Sequence, residues 1–466
     1  MVSLYSRHLA TPSVSGLDNN RVRTMKIIII GGEAAGMSAA AKARRVDRDA
    51  EITVFEASEV ISFGACGLPY FVGDEFQDHN FMAEFTPEQF VERGISVKTG
   101  HRVTKVDAVN KKLEVNNGSG TFTTHYDRLM IATGASEVLP PVKGLEKQGV
   151  HSLRRMDDGL RLKTAINHPA CQHVTVIGSG FIGLEVVEAM VHQGKTVRLI
   201  ERAERLIPDA FDPEISEHFL SELQSAGVEV HLNESLQEIL GDDTVSAVKT
   251  SQGLYSTDLV VVCTGVKPNT AFLSETGIET LDNGALIVDQ QGRTSLTDVW
   301  AAGDCASIWH SLLESNVYIP LATGANKLGR LVGENIAGKS LVFPGSLGTS
   351  CVKVLALEAG RTGLSEPEAI AAGINYKAIT IKDKCHTNYC DGQSDIHMKL
   401  IYHADTKVLL GAQMIGKKGA VHRIDAMAVA ISAGLTTQQL GMLDFAYAPP
   451  FARTWDIMNV AGNVAK

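Results

Sequence analysis

Cys66 is the residue whose type and surroundings point most clearly to chemistry. It lies in the segment EVISFGACGLPYFVGD (59–74), just before Gly67 and Pro69, which indicate the start of a helix. The unpaired N–H groups and the dipole of a helix N-terminus stabilise a thiolate, which is the form that nucleophilic and redox chemistry require. We therefore predict that Cys66 is a redox-active nucleophile.

Cys66 has no second cysteine near it in the sequence. Five residues away, the chain has Phe71 on one side and Ile61 on the other. A lone thiol must cycle either through a mixed disulfide with a substrate thiol or through a sulfenic acid. These two chemistries define two enzymatic hypotheses.

The other cysteines do not form the pattern of a secreted disulfide framework, because the total is odd and the residues are scattered, so a reducing cytoplasm is favoured. Cys385 and Cys390 could pair or bind a metal. No second Cys or His pair stands at metal-site spacing, so we predict two unpaired thiols and no metal. Buried, inert thiols are predicted at four positions in strand-like or core-like contexts: Cys171, Cys263, Cys305 and Cys351.

A glycine-rich turn after the strand KIIIIGG (26–32) predicts a first dinucleotide site. Gly31 permits a tight turn, Gly36 permits close helix packing, and Glu56 ends the next strand at a spacing suited to a ribose. Glu33 occupies the place of the middle glycine, so a purely structural turn is the alternative. The predicted cofactor contacts of this unit are Gly31, Gly32, Ala35, Gly36 and Glu56.

A second turn, GSGFIG (178–183), has the full set of glycines. Glu201 follows at about the 20-residue spacing of a ribose ligand. A carboxylate there repels a 2′-phosphate, so NADH is preferred, although Arg202 and Arg205 keep NADPH possible. The predicted NAD contacts are Gly178, Gly180, Gly183 and Glu201.

Two nucleotide units in one chain suggest a bound flavin together with a mobile nicotinamide, that is FAD and NADH. The segments ATGA (132–135) and TSLTDVWAAGD (294–304) resemble further FAD signatures of the two-dinucleotide flavoprotein disulfide reductase family, and the resemblance covers essentially all of 25–466. It implies that Asp304 faces the flavin ribityl chain. The other FAD contacts that it implies are Ala132, Thr133, Gly134 and Gly303.

The surroundings of Cys66 narrow this resemblance. SFGACGLPYFVG (62–73) is similar to the SFxxCGLPY segment of coenzyme A disulfide reductases and of NADH-dependent coenzyme A persulfide reductases. NADH oxidases and peroxidases place a different sequence after their cysteine, and they carry a histidine where this chain has Ala34. The resemblance therefore implies a Cys66–coenzyme A mixed disulfide, with a disulfide or a persulfide as substrate.

In these reductases the first helix contacts coenzyme A, and the matching residues here are Ser38, Lys42 and Arg45. A 3′-phospho-ADP group needs cationic partners, and Lys42 and Arg45 lie one helical step apart. A solvated basic helix edge is the alternative for both. Ser62 matches another substrate contact.

Two C-terminal segments extend the resemblance. NY (388–389) resembles NYYPG and AYAPPF (446–451) resembles AYAPP, whose tyrosines reach the thiol substrate from the partner subunit of a homodimer. Tyr389 and Tyr447 are the residues implied, and a phenol there can donate a hydrogen bond or a proton to the leaving thiolate. Interface packing is the alternative. The chain departs from the family pattern at Cys390, Asp391, His422 and Trp455.

Strand, turn and helix alternate in both glycine-rich units, which predicts an α/β fold with two Rossmann-like dinucleotide-binding domains. From about Phe343, alternating strands followed by the helix RIDAMAVAISAG (423–434) predict a C-terminal α+β dimerisation domain. The predicted extents are 25–150 and 266–342 for the FAD-binding domain, 151–265 for the NAD(P)-binding domain, and 343–466 for the dimerisation domain. Residues 1–24 are predicted to be a disordered extension, with a transit peptide as the alternative.

The formal charge of −10 over 466 residues argues against nucleic-acid and anionic-membrane partners. The longest apolar runs are strand-sized, far short of the ~18 residues that span a bilayer. Two rival functions stay open. One is an NADH oxidase or peroxidase that cycles Cys66 as a sulfenic acid, and the other is a flavin-bound redox sensor with little turnover.

Overall fold

The computed structural model describes residues 24–466, so that almost all of the predicted N-terminal extension lies outside the described residues. The strands are, in chain order, β1 Lys26–Ile30, β2 Glu51–Phe55, β3 Ile95–Lys98, β4 Arg102–Asp107, β5 Lys112–Asn116, β6 Thr121–His125, β7 Arg128–Ile131, β8 Ala135–Glu137, β9 Val150–His151, β10 His173–Ile177, β11 Thr196–Ile200, β12 Glu229–His231, β13 Leu236–Leu240, β14 Ala247–Thr250, β15 Leu254–Ser256, β16 Leu259–Val262, β17 Val266–Pro268, β18 Val299–Ala301, β19 Ile308–His310, β20 Ser315–Val317, β21 Ser350–Val354, β22 Leu357–Gly363, β23 Tyr376–Lys384, β24 Asp395–His403 and β25 Leu409–Gly416.

The helices are, in chain order, α1 Ala34–Val46, α2 Leu68–Val72, α3 Pro87–Val91, α4 Met156–Ile166, α5 Phe181–His192, α6 Pro213–Ser225, α7 Ala322–Ile336, α8 Glu366–Ala371, α9 Ala420–Ser432, α10 Thr437–Gly441 and α11 Ile457–Val464. Short 3-10 turns lie at Ala65–Gly67, His79–Met82 and Ala271–Thr276.

The first sheet is parallel and has the strand order β18-β7-β1-β2-β3. Its central strand β1 is KIIII, and Ile27, Ile28 and Ile29 are fully buried, as expected of a strand covered on both faces. Helix α1 packs so closely on α7 that a Cβ added at Gly329 or Gly333 would lie 2.5 or 2.4 Å from the α1 backbone. The carboxyl ends of β1, β7 and β18 therefore open on the same edge, beside the start of α1.

A second parallel sheet, of order β12-β11-β10-β16-β9, is formed by residues 150–262, which lie between β7 and β18 in the chain. It repeats the strand, turn and helix arrangement of the first sheet, with α5 following β10. Antiparallel three-stranded sheets, β4-β5-β6 and β13-β14-β15, accompany the two units. The predicted α/β fold class with two Rossmann-like units is confirmed.

The C-terminal sheet is antiparallel, of order β21-β22-β25-β24-β23, and α9 packs on β22 and β25. The strands expected after Phe343 and the helix at 423–434 are confirmed, while α8, α10 and α11 are short and were not anticipated. Among residues 24–466, no helix is both long and apolar enough to cross a membrane.

A buried ion-pair cluster ties the second unit to the C-terminal sheet. Lys399 of β24 is 1% exposed; its ammonium lies 3.3 Å from Asp212 and 2.7 Å from Glu214, and it also pairs with Glu366. Asp212, also 1% exposed, precedes α6 and accepts a hydrogen bond from Gln413. One cation thus neutralises three carboxylates from two segments, the start of α6 and the start of α8.

Replacing Lys399 with methionine should destabilise the fold strongly. The substitution leaves the buried Asp212 carboxylate without a cation, which costs about 3–5 kcal/mol. Lys382→Met is the matched control, because Lys382 is 61% exposed in its pair with Asp395 and such pairs contribute about 1 kcal/mol or less. Thermal unfolding of the two variants checks this, and equal melting temperatures would contradict it.

Candidate active site

The first glycine turn is shaped to bring a ligand against the backbone. Gly31 has φ +108°, and a Cβ there would lie 2.1 Å from the carbonyl oxygen of Ala132. A Cβ at Gly36 would lie 1.9 Å from the Gly31 carbonyl oxygen, so α1 starts directly against the turn. The Gly32 N–H donates to the Glu56 carboxylate at 2.7 Å. Only glycine permits this geometry, and the helix N-terminus is left facing the ligand space.

The second turn has nearly the same construction. Gly178 has φ +97°, and a Cβ at Gly183 would lie 2.0 Å from the Gly178 carbonyl oxygen. The Ser179 N–H and hydroxyl both donate to Glu201, at 2.8 and 2.7 Å. A Cβ at Gly180 would meet no atom within 4 Å, so the space over the start of α5 is open to a pyrophosphate.

Glu201 has acceptor capacity left for a ribose. It is 8% exposed and accepts from Ser179 twice and from the Ala203 N–H once, at 2.8 Å. A carboxylate offers about four acceptor sites, so one stays available to a hydroxyl. The buried negative charge opposes a 2′-phosphate, which fits the expected preference for NADH.

The two turns differ at the middle glycine, where the first has Glu33. Burial raises the pKa of Glu33, and the Arg154 guanidinium, 4.0 Å away, opposes this rise. Arg154 also donates to Asp304 at 3.1 Å and to the Ala135 carbonyl at 3.0 Å. Sequence reasoning missed Arg154, whose only signal is the Arg-Arg pair that precedes the acidic start of α4.

The remaining residues predicted to contact FAD lie at the same edge of the sheet. Ala132, Thr133 and Gly134 follow β7 directly, with Gly134 at φ +64°. Gly303, at φ +85°, and Asp304 follow β18. Burial raises the pKa of Asp304, and Arg154 opposes the rise. Glycines with positive φ, open helix N–H groups and a carboxylate acceptor for ribityl hydroxyls together fit an FAD molecule.

Ser62 links the cysteine segment to the first turn. Its backbone is in the left-handed region at φ +50°, its N–H donates to the Gly32 carbonyl at 2.8 Å, and its own carbonyl accepts from Glu84 at 3.1 Å. The segment that carries Cys66 is thereby fixed beside the predicted FAD site.

Cys66 itself lies in the 3-10 turn Ala65–Gly67, immediately before α2, and its side chain is exposed. Its position before a helix is as predicted. The expectation that the protein stabilises the thiolate is wrong. The protein around Cys66 shields it in part from water, and this desolvation and then Glu185 raise the Cys66 pKa more than Arg154 lowers it. Helix α2 has only five residues, too few for a strong dipole.

A carboxylic acid that sequence reasoning missed lies near Cys66. Glu185 is on α5; burial and the neighbouring Glu188 raise its pKa to about 7, while a hydrogen bond from Tyr70 opposes the rise. Burial and Glu185 raise the Tyr70 pKa to about 12. Glu188 is held by an ion pair with Lys353. Glu185 is thus mostly protonated below about pH 7.

The prediction that Cys351 is buried is wrong. Cys351 is exposed, whereas its neighbour Val352 is buried, because β21 is an edge strand with alternating faces. Cys171 and Cys305 are buried as predicted, and Cys263 is partly accessible beside Gly183. The seven cysteines, all among the described residues, are free thiols.

The predicted coenzyme A contacts on α1 have different surroundings. The Ser38 hydroxyl donates to Asn326 at 2.8 Å, and the Lys42 ammonium lies 3.0 Å from Glu334, both on α7. Close packing of α1 on α7 thus gives Lys42 a carboxylate partner, and its predicted contact with coenzyme A stays a prediction. Arg45 is exposed and donates only to the Ala41 carbonyl, at 3.1 Å, among the described residues.

Tyr389 and Tyr447 lie together on the C-terminal domain, 71% and 45% exposed. Their mutual hydrogen bond is the main cause of a raised Tyr389 pKa. The Thr387 hydroxyl donates to the Pro449 carbonyl at 2.9 Å and fixes the two segments to each other. Within residues 24–466, no hydrogen bond or ion pair of the single chain joins either tyrosine to Cys66.

The positions that depart from the family pattern are mostly accessible. Asp391 is exposed, Cys390 is partly accessible, and the His422 and Trp455 side chains are 92% and 54% exposed. In the described part of the chain, no cluster of three or more His, Cys, Asp or Glu side chains could hold a metal ion.

Comparison with protein families gives two matches that together cover most of the chain. Residues 25–329 match the pyridine nucleotide-disulphide oxidoreductase family, and residues 349–458 match the dimerisation domain of that family.

Individual relatives agree with this assignment. A Pyrococcus horikoshii NAD(P)H coenzyme A polysulfide/persulfide reductase is 36% identical over 442 residues, which cover 95% of this chain and 98% of the relative. A Methanocaldococcus jannaschii NADH oxidase is 32% identical over 446 residues, 95% of this chain and 98% of the relative. The solved structure of an NAD-dependent persulfide reductase from A. fulgidus is similar with a TM-score of 0.91 and 34% identity, over 95% of this chain and 83% of that one. The chain therefore belongs to the pyridine nucleotide-disulphide oxidoreductase family, and it is an oxidoreductase whose cofactors are those of the family, FAD and NAD(P)H.

Proposed function

We propose that this protein reduces coenzyme A disulfide or coenzyme A persulfide with NAD(P)H, and that Cys66 forms a mixed disulfide with coenzyme A. The observation that carries the proposal is the exposed thiol of Cys66, held beside the FAD turn through Ser62, with Ile61 and Phe71 where a partner cysteine would be. Its disulfide partner must come from the substrate. The Pyrococcus horikoshii and A. fulgidus relatives support a persulfide or coenzyme A substrate.

The residues divide the chemistry between them. The Cys66 thiolate attacks one sulfur of the substrate, forms Cys66–S–S–CoA and releases a coenzyme A thiolate, or hydrosulfide from a persulfide. When bound, FAD relays the electron pair of NAD(P)H to the mixed disulfide. Cleavage of that disulfide returns the Cys66 thiolate and releases the second thiol. The net reaction consumes one proton per NAD(P)H, and we assign Glu185 as the group that supplies this proton.

The domain and subunit arrangement completes the proposal. We assign 25–150 with 266–342 to FAD, 151–265 to NAD(P)H, with NADH preferred, and 343–466 to dimerisation. In the homodimer, Tyr389 and Tyr447 of one subunit would reach the thiol substrate in its partner, which fits their exposure and distance in sequence from Cys66. Free cysteines throughout the described chain suit the reducing cytoplasm.

The second candidate function is an NADH oxidase or peroxidase, favoured by the Methanocaldococcus jannaschii relative. In that case, Cys66 would cycle through a sulfenic acid. Ala34 stands where the resemblance places a histidine that supports peroxide chemistry, and a methyl group can neither donate a hydrogen bond nor transfer a proton. We therefore rank this function second, ahead of a flavin-bound redox sensor.

Cys66→Ser should keep FAD but lose NADH-driven reduction of coenzyme A disulfide, because serine cannot form the mixed disulfide. NADH oxidation is followed with coenzyme A disulfide, coenzyme A persulfide, oxygen and peroxide as separate acceptors. Cys351→Ser, which removes another exposed thiol, is the matched control and should keep full turnover. Undiminished turnover in Cys66→Ser would remove the proposal, and faster NADH oxidation by wild type with oxygen or peroxide alone would favour the second function.

Arg45→Ala should raise the KM for coenzyme A disulfide. A charge-assisted hydrogen bond to phosphate contributes about 1.5–3 kcal/mol, a roughly 10- to 100-fold change. Lys42→Ala, whose ammonium is already paired with Glu334, should change KM much less. Pantethine, a disulfide without the 3′-phospho-ADP group, should show no effect of Arg45→Ala, and an equal rise for both disulfides would exclude the phosphate contact.

Glu185→Gln should remove the pH dependence of kcat near pH 7. The carboxyl is protonated below its pKa of about 7, so wild-type turnover should fall as the pH rises through that value, while glutamine cannot ionise. The variant should show no inflection near pH 7 in kcat. A wild-type inflection that survives in the variant would assign it to another group.

The same variant tests the raised pKa independently of catalysis. The folded protein holds the Glu185 proton above the ordinary pKa of 4.5, so the stabilisation is complete below that pH and is lost as the pH rises through about 7. The melting temperature of wild type should therefore fall relative to that of Glu185→Gln between pH 5 and pH 8. A constant difference would contradict the raised pKa.

A further inference from the structure

A pair of thiols, to which the proposed function gives no role, lies in the loop 385–394, between β23 and β24, on either side of Tyr389. Cys385 is 2% exposed and its neighbour His386 is 1% exposed. Cys390 is partly accessible and stands five residues after Cys385, the spacing that Cys66 lacks. The loop therefore holds one covered and one accessible thiol around a buried imidazole.

The hydrogen bonds of His386 determine which of its nitrogens carries the proton. Nε2 lies 3.2 Å from the Cys390 carbonyl oxygen and 3.2 Å from the Asp391 carbonyl oxygen. Carbonyl oxygens only accept, so Nε2 carries the hydrogen of the neutral ring and Nδ1 is left as a base. Nδ1 lies 3.0 Å from the Cys385 sulfur.

The Cys385 sulfur is also prepared to carry negative charge. The Ser394 N–H points to it at 3.3 Å, and the Ser394 hydroxyl lies 3.4 Å away. A thiol with an imidazole base on one side and N–H and O–H donors on the other has the arrangement that activates a nucleophilic cysteine. Because Cys385 is buried, we expect it to attack a sulfur within the protein rather than one in solution.

Cys390 is the sulfur that an external reagent would meet first. Its N–H donates to the Thr387 carbonyl at 3.3 Å, which closes a turn over 387–390, and the Thr387 hydroxyl lies 3.9 Å from its sulfur. The His386 ring lies between the Cys385 sulfur and the Cys390 backbone. A bond between the two sulfurs requires this turn to open.

We infer that Cys385 and Cys390 form a second redox centre, a dithiol that organic disulfides convert reversibly into an intrachain disulfide. The His386 contacts and the different accessibility of the two thiols support this centre. The oxidant is a disulfide of the class that we propose as substrate, so the choice of oxidant rests on the proposed function.

The reaction balances in two exchanges. Cys390 attacks a disulfide R–S–S–R, forms Cys390–S–S–R and releases one R–SH. Cys385 then gives its proton to His386 Nδ1 and attacks the Cys390 sulfur, forming the Cys385–Cys390 bond and breaking the bond to R. The departing R–S⁻ takes the proton from His386, so that two cysteine thiols are oxidised and one disulfide is reduced to two thiols.

Oxidation would change the tyrosine pair. Tyr389 lies within the turn that must open, and the Thr387–Pro449 hydrogen bond holds that turn against the segment of Tyr447. An intrachain disulfide would therefore displace the Tyr389 hydroxyl from Tyr447. The second centre would thus lower the binding of the thiol substrate when disulfides accumulate.

The test uses FAD-loaded protein in the Cys66→Ser background, so that catalytic turnover plays no part. The protein is treated with coenzyme A disulfide, free thiols are alkylated, and the peptides are analysed by mass spectrometry. We expect a Cys385–Cys390 crosslink that a reductant removes. Adding Cys385→Ser should instead leave coenzyme A attached to Cys390, and His386→Gln should slow conversion of that adduct to the crosslink by about 100-fold, the scale of a lost general base.

Alkylation of both Cys385 and Cys390 after this treatment would overturn the inference, as would a Cys390 adduct that wild-type His386 does not resolve. Cys351→Ser is the control, since an exposed thiol without a histidine should not affect the crosslink. Crosslinking without any NADH-driven coenzyme A disulfide reduction by wild type would retain the second centre and reject the proposed function. NADH-driven reduction of coenzyme A disulfide without the crosslink would retain the proposed function and reject the second centre.

Discussion

The close approach of α1 to its neighbours is the constraint on which the rest of the site depends. Gly31 and Gly36 let α1 start against β1 and β7, and Gly329 and Gly333 let α7 lie directly on it. An added methyl group at any of these positions would overlap backbone atoms, which cannot yield in a packed interior. Because α1 is held there, its N-terminus faces the predicted FAD site and its far end presents Arg45 at the surface.

The same packing explains why two basic residues one helical step apart differ in their surroundings. The side of α1 that faces α7 meets Glu334, which pairs with Lys42. Arg45 projects to solvent and, within residues 24–466, donates only to its own helix. An anion approaching α1 would have to displace Glu334 to reach Lys42, at a cost in Coulomb energy and desolvation. Arg45 requires no such exchange.

Much of this arrangement could be predicted from the sequence because it rests on local chemistry. Both dinucleotide turns were predictable from the glycine spacing, the β-branched strands and the glutamate that ends the next strand. Cys66 was predictable from the residues around it in the segment 59–74. Contacts between distant segments could not be predicted in this way. Arg154 reaches Asp304 across 150 positions, and Glu185 comes near Cys66 only because α5 packs on α2. The exposure of Cys351 likewise depends on β21 being an edge strand, which the strand pattern alone does not reveal.

The two glycine turns also differ in how they are enclosed, and the difference bears on which nucleotide stays bound. The first turn is bordered by the ends of β7 and β18 and by the Cys66 segment, which the Ser62–Gly32 hydrogen bond fixes to it. The second has a Gly180 whose surroundings are open to 4 Å. A ligand at the first turn would contact several ordered segments at once and leave slowly, whereas a ligand at the second would exchange readily. That is the behaviour required when one nucleotide is resident and the other is consumed, and it places the resident one next to the exposed thiol of Cys66.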